Sequence, residues 1–80
     1  MDKPLVKRSV EIAGHQTSIT LEPEFWNALK DMAAAKSLSL PQLIARLDRQ
    51  RETSTGVRVR NLSSHLRVAI LLWLKGQVAG

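Results

Sequence analysis

Eighty residues suffice for one domain, and a chain of that length buries only about 60 to 65% of its unfolded surface, so association with a second copy would relieve a marginal core. A hydrophobic fraction of 44% excludes a disordered tail, while one Phe, two Trp and no Tyr leave the core to Leu, Ile, Val, Met and Ala. Twelve Lys and Arg against seven Asp and Glu give a net charge of +5, which suits an anionic partner without singling out nucleic acid.

The absence of cysteine excludes a disulfide framework and a thiolate metal site, and points to the cytoplasm. The longest apolar run, residues 68–74, falls far short of the roughly 20 residues that span a bilayer, and the N-terminus lacks a signal peptide's apolar segment. No membrane association is expected.

In chain order, residues 1–7 carry Asp2, Lys3, Pro4 and Lys7 without periodicity and are expected to form a flexible, mildly basic arm. Residues 8–12 then alternate, with Val10 and Ile12 opposite Ser9 and Glu11. Residues 16–21 repeat the pattern, with Thr17, Ile19 and Leu21 opposite Gln16, Ser18 and Thr20. Two short strands are predicted around Ala13, Gly14 and His15. Gly14 accepts a positive φ, so it suits a turn or a bulge, and both a hairpin and one bent strand remain open.

Glu22-Pro23-Glu24 predicts a helix start, because proline's missing N–H costs nothing in the first turn and carboxylates favour the positive end of the helix dipole. This helix runs to about Lys36, with Phe25, Ala28, Leu29, Met32 and Ala33 on its apolar stripe and Trp26 half exposed at the stripe's edge. Ser37-Leu38-Ser39 breaks the pattern. Ser39 and Gln42 form a capping box that opens a second helix carrying Leu40, Leu43, Ile44 and Leu47, with Arg46, Arg49 and Arg51 near its end. Residues 52–60 have no apolar period and read as a linker. Residues 61–64 then cap a third helix, which is apolar around most of its circumference and is expected to be buried on several sides, with Lys75-Gly76 as its stop. The organisation is therefore an arm (1–7), a strand-helix-helix unit (8–51), a linker (52–60) and a C-terminal helix (61–76).

An isolated strand or hairpin is marginal in water because its edges leave N–H and C=O groups unpaired. A second chain can supply the partner. If residues 16–21 pair antiparallel with their own copy, Ile19 and Leu21 point onto the helices, where Leu29, Leu43, Ile44 and Leu47 complete a dimer core, while Gln16, Ser18 and Thr20 point outward.

Residues 17–47, with their alternating strand, Leu21-Glu22-Pro23-Glu24 junction, apolar helix, polar turn and Ser39 cap, resemble the ribbon-helix-helix (Arc/MetJ-like) family of DNA-binding proteins. The segments Arg8-Ser9-Val10, Gly14-His15 and Asn61-Leu62-Ser63-Ser64 further resemble a bacterial subgroup with an extra C-terminal helix. The resemblance implies a mostly α fold with a short β-ribbon: a dimer with intermolecular antiparallel strands plus a third helix. It also implies that the ribbon lies in the major groove, where Gln16, Ser18 and Thr20 contact bases, and that Ser39 and Leu40 at the second helix start hold a phosphate. Their chemistry agrees, since Gln pairs bidentately with adenine and Ser or Thr serves several base edges. Many members carry Arg or Lys on the ribbon, whereas these three positions are neutral, so a merely solvated strand face competes with the reading role. Lys7 and Arg8, with Lys3, are expected to follow the phosphate backbone.

Catalysis finds no support, because His15 and His65 lie far apart, no Cys is present, and no carboxylate motif or glycine-rich phosphate loop accompanies them. No metal and no cofactor are expected. The sequence thus points to a cytoplasmic, dimeric, sequence-specific transcriptional regulator, a repressor on double-stranded DNA, with tetramers through the C-terminal helix as a further assembly. The alternative is a protein-interaction or antitoxin-like module whose C-terminal helix binds a partner protein such as a toxin.

Overall fold

The computed structural model describes residues 4–53 and 61–78. They form two strands and three helices: β1 (Val6–Ile12), β2 (His15–Leu21), α1 (Pro23–Ala35), α2 (Leu40–Thr53) and α3 (Leu62–Val78). The chain is therefore mostly helical with a short antiparallel ribbon.

Of the two arrangements left open for the strands, the hairpin is the one adopted. Ala13 and Gly14 both take positive φ, 51° and 83°, the combination that makes a two-residue turn match the right-handed twist of its flanking strands. Ile12 consequently faces His15, and the register runs from there to Val6 opposite Leu21. The strand begins at Val6, so Val6 and Lys7, assigned by pattern to the arm, are paired with Leu21 and Thr20. Val10, Ile12, Ile19 and Leu21 are buried beneath the hairpin.

At the start of α1, Glu22 is extended and Pro23 opens the helix, with the Glu22 carbonyl accepting from the N–H groups of Phe25 and Trp26. The helix ends without glycine. Ser37 takes φ 57°, its N–H donates to the Ala34 carbonyl, and the Leu38 N–H donates to the Ala33 carbonyl, which is the Schellman arrangement of a helix C-terminus. Trp26, expected at the edge of the stripe, is only 2% exposed. β1 is the reason, since the indole Nε1 donates to the Val6 carbonyl at 2.9 Å and the Arg8 guanidinium lies over the ring. The pattern of one helix does not reveal a strand laid across its flank.

The capping box of α2 forms in both directions, Gln42 N–H to Ser39 Oγ at 3.2 Å and Ser39 N–H to Gln42 Oε1 at 2.9 Å. α2 then buries Leu43, Ile44 and Leu47, and it runs to Thr53 before the rest of the expected linker, residues 54–60, which lies outside the described residues. α3 is capped by Asn61, whose Oδ1 accepts from Ser64 N–H at 2.8 Å. It continues past the expected stop at Lys75-Gly76 to Val78, because one glycine costs a helix only about 1 kcal/mol.

α3 packs on α1 and α2 and lies beside β2, whereas α2 lies beside β1. One core gathers the hairpin's inner face, Trp26, Leu29 and Met32 of α1, Leu43, Ile44 and Leu47 of α2, and Leu66 and Ile70 of α3. The expectation of cover on several sides of α3 is met in part. Within this chain its Leu66–Ile70 side is enclosed, while Leu71, Leu72 and Leu74 are 54%, 63% and 44% exposed. No helix among the described residues is long and apolar enough to cross a membrane.

Candidate functional site

The hairpin has one apolar face and one polar face, and register determines which residues share the latter. Gln16, Ser18 and Thr20 of β2 stand directly across from Glu11, Ser9 and Lys7 of β1, giving two parallel rows on the outward surface. All but Thr20, which is half-buried, are exposed. Sequence reasoning finds the β2 row and misses Ser9 and Glu11 as members of the same surface. Their signal is the polar half of the alternation in residues 8–12, and only the turn aligns it with β2.

The backbone of β2 has a matching polarity. Ile12 and His15 flank a two-residue turn and so form a hydrogen-bonded pair; alternation makes Val10–Thr17, Arg8–Ile19 and Val6–Leu21 bonded pairs as well. The N–H and C=O groups of Gln16, Ser18 and Thr20 therefore point away from β1. Among the described residues no third strand pairs with that edge. One group on it is engaged: the Ser63 hydroxyl of α3 donates to the Thr20 carbonyl at 3.2 Å.

The junction after β2 is clamped by the same helix. Arg67 donates from Nε and Nη2 to Glu22 Oε1 at 3.1 and 2.9 Å, and its guanidinium lies 5.6 Å from the Phe25 ring centre. The backbone N–H of Glu22 itself, and then Arg67, hold this carboxyl below its ordinary pKa of 4.5.

The anticipated phosphate contacts separate into different places. Lys7 is on the outward face with the β2 row, whereas Arg8 faces the opposite way, over Trp26 at 5.4 Å. Ser39 and Leu40 sit at the start of α2 rather than on the hairpin, and the Ser39 N–H is already engaged by Gln42. Leu40, as the first helical residue, has an N–H without an acceptor inside its helix. Ile19, Leu21, Leu29, Leu43, Ile44 and Leu47, expected as a dimer core, are between 0% and 5% exposed within the single chain. β1 and α3 are what enclose them. His15 is exposed at the turn, and His65 is half-buried on α3.

Several comparisons bear on this arrangement. The family model for the ribbon-helix-helix domain matches residues 5–74. A solved structure of an uncharacterized protein from Bordetella pertussis Tohama I is similar at a TM-score of 0.82 and 34% identity, over 95% of this chain. The chain spans 60% of the length of that protein. No protein of curated function matches.

Proposed function

This chain belongs to the ribbon-helix-helix family, and from that premise we propose that it is a dimeric, sequence-specific DNA-binding repressor acting in the cytoplasm. Ribbon-helix-helix proteins bind DNA and form dimers, and the family's members are typically transcription regulators or antitoxins. The observation that carries the reading here is the row Gln16, Ser18 and Thr20. It combines outward hydrogen-bonding side chains with an edge backbone turned away from β1.

Two copies of β2 paired antiparallel about a two-fold axis would satisfy each other's edge and place both rows side by side. The major groove, about 12 Å wide, admits a two-stranded ribbon of this kind. Gln16 then addresses adenine, and Ser18 and Thr20 reach other base edges. Lys7 on the same face, the first-turn N–H of Leu40 and the net charge of +5 supply phosphate attraction. Ser39 can join them through its hydroxyl, which accepts from the Gln42 N–H and keeps its own proton to donate, whereas its backbone N–H must first be released by Gln42. This work is binding and needs neither catalysis nor a cofactor.

Fluorescence anisotropy on the DNA upstream of the gene, against a random duplex, tests the proposal. Replacing Gln16, Ser18 and Thr20 together by Ala is expected to reduce specific binding to the random-duplex level, each good base contact contributing about 1 to 3 kcal/mol of discrimination. With roughly six phosphates touched by the dimer, log affinity falls with log salt at a slope near −5. A folded triple variant that keeps full specific affinity removes the ribbon from DNA recognition.

A second reading rests on the exposed leucines of α3. Leu71 and Leu74 border an apolar groove with Phe25, Val68 and Ile70, so α3 offers a surface for a partner protein, as in an antitoxin, or for joining dimers into tetramers. Replacing Leu71 and Leu72 by Lys separates the two readings: DNA binding survives if the ribbon is the working surface.

A further inference from the structure

The hairpin gives this chain an outer strand, and that strand carries charge where β2 carries none. Lys7 stands across from Thr20 and Glu11 across from Gln16, both exposed on the outward face, and among the described residues neither has an ion-pair partner. Ser9, between them, is small and neutral.

Pairing two hairpins through β2 produces four strands in the order β1, β2, β2 and β1. Neighbouring strands lie about 4.8 Å apart, so the two outer strands are about 14 Å apart. A groove about 12 Å wide takes the central pair but cannot take the outer ones at the same depth. The outer rows therefore come to rest over the walls of the groove, and those walls are phosphate.

We infer that β1 is a charge-setting strand that rides on the DNA backbone, with Lys7 anchoring a phosphate and Glu11 opposing one. The inference rests on the DNA-binding reading above and adds to it a role for residues outside the base-reading row. Lys7 and Glu11 then act with opposite sign on the same sequence-independent part of the affinity. A carboxylate held against phosphate weakens binding to every duplex alike, so a larger share of the remaining affinity comes from Gln16, Ser18 and Thr20. Glu11 restrains occupation of random DNA while leaving discrimination between sequences untouched.

The test uses the full chain, with anisotropy titrations on the upstream duplex, on a random duplex and on upstream duplexes carrying single base-pair changes, over a range of salt. Lys7→Gln and Glu11→Gln are compared with wild type, and circular dichroism melting confirms that these exposed substitutions leave the fold intact. Lys7→Gln is expected to weaken binding to the upstream and random duplexes by the same factor. It should also make the salt slope of the dimer shallower by about 1.8, two contacts at about 0.9 each. Glu11→Gln is expected to tighten both duplexes by the same factor, roughly threefold for a screened repulsion at this range, with the ranking of the base-pair variants unchanged. A changed preference at one base pair in Glu11→Gln would place Glu11 inside the groove, where a carboxylate accepts from cytosine, and would overturn the inference. So would an unaltered salt slope in Lys7→Gln. If those results arise while the triple Ala variant still loses specific binding, only the role of β1 fails; wild-type protein that binds no duplex at all removes the DNA-binding reading and this inference together.

Discussion

Among the described residues, two non-glycine positions hold backbone that L-amino acids avoid, Ala13 at φ 51° in the hairpin turn and Ser37 at φ 57° after α1. Each carries a steric cost that glycine, or in part asparagine, escapes. Ser37→Gly is expected to raise stability by about 1 kcal/mol, because the gain from relieving the left-handed residue exceeds the added freedom of the unfolded chain. Ala13→Asn, which creates the Asn-Gly pair preferred in such turns, should act in the same direction. Urea unfolding of both variants checks this, and a fall in midpoint for Ser37→Gly would show that its hydroxyl contributes more than its backbone costs. At this scale the capping box of Ser39 and Gln42 was legible, since both partners lie within one turn. The burial of Trp26 was not, because its cover, Val6 and Arg8, is supplied by a strand some twenty residues earlier.

Among the elements, α3 is placed by polar contacts as well as by burial. Leu66 and Ile70 enter the core, the Ser63 hydroxyl reaches the Thr20 carbonyl, and Arg67 pairs with Glu22. The Glu22 carboxyl has its pKa lowered in the folded protein, first by its own backbone N–H and then by Arg67. Its contribution to stability is therefore complete above the ordinary value of 4.5 and is lost as the pH falls through the lowered value. Wild type is expected to exceed Glu22→Gln in urea midpoint at neutral pH, with the difference shrinking below about pH 4.5 and vanishing in stronger acid. A difference that persists unchanged in acid would mean that the side chain acts by packing rather than by charge.

For the molecule as a whole, the six residues expected to form a dimer core are already enclosed by one chain, so the proposed dimer would have to use the open edge of β2 or the exposed part of α3. The edge can be tested separately from the core. The Ser18 N–H points away from β1, so Ser18→Pro removes a donor that the proposed β2–β2 pairing would use and β1 does not, and proline is tolerated at a sheet edge. Sedimentation at micromolar concentration is expected to show two chains for wild type and one for Ser18→Pro, with helicity retained in both. A Ser18→Pro variant that still sediments as a dimer would shift the interface from β2 to α3.

By itself the sequence determined the regular elements: two alternating strands, three helices, the cap at Ser39 and capping residues within 61–64, and the outward row Gln16, Ser18 and Thr20. Those features depend on residues one to four positions apart, where backbone geometry links pattern to structure directly. Only the tertiary structure decided that the strands form a hairpin, because a turn centred on Ala13 and Gly14 needs two positive φ angles and Ala13 does not announce one. It alone aligned Lys7, Ser9 and Glu11 with the β2 row and turned Arg8 onto Trp26. It also decided how much of α3 is covered, since apolar residues occupy most of that helix's circumference and only packing on the rest of the chain encloses Leu66 and Ile70 while leaving Leu71, Leu72 and Leu74 exposed.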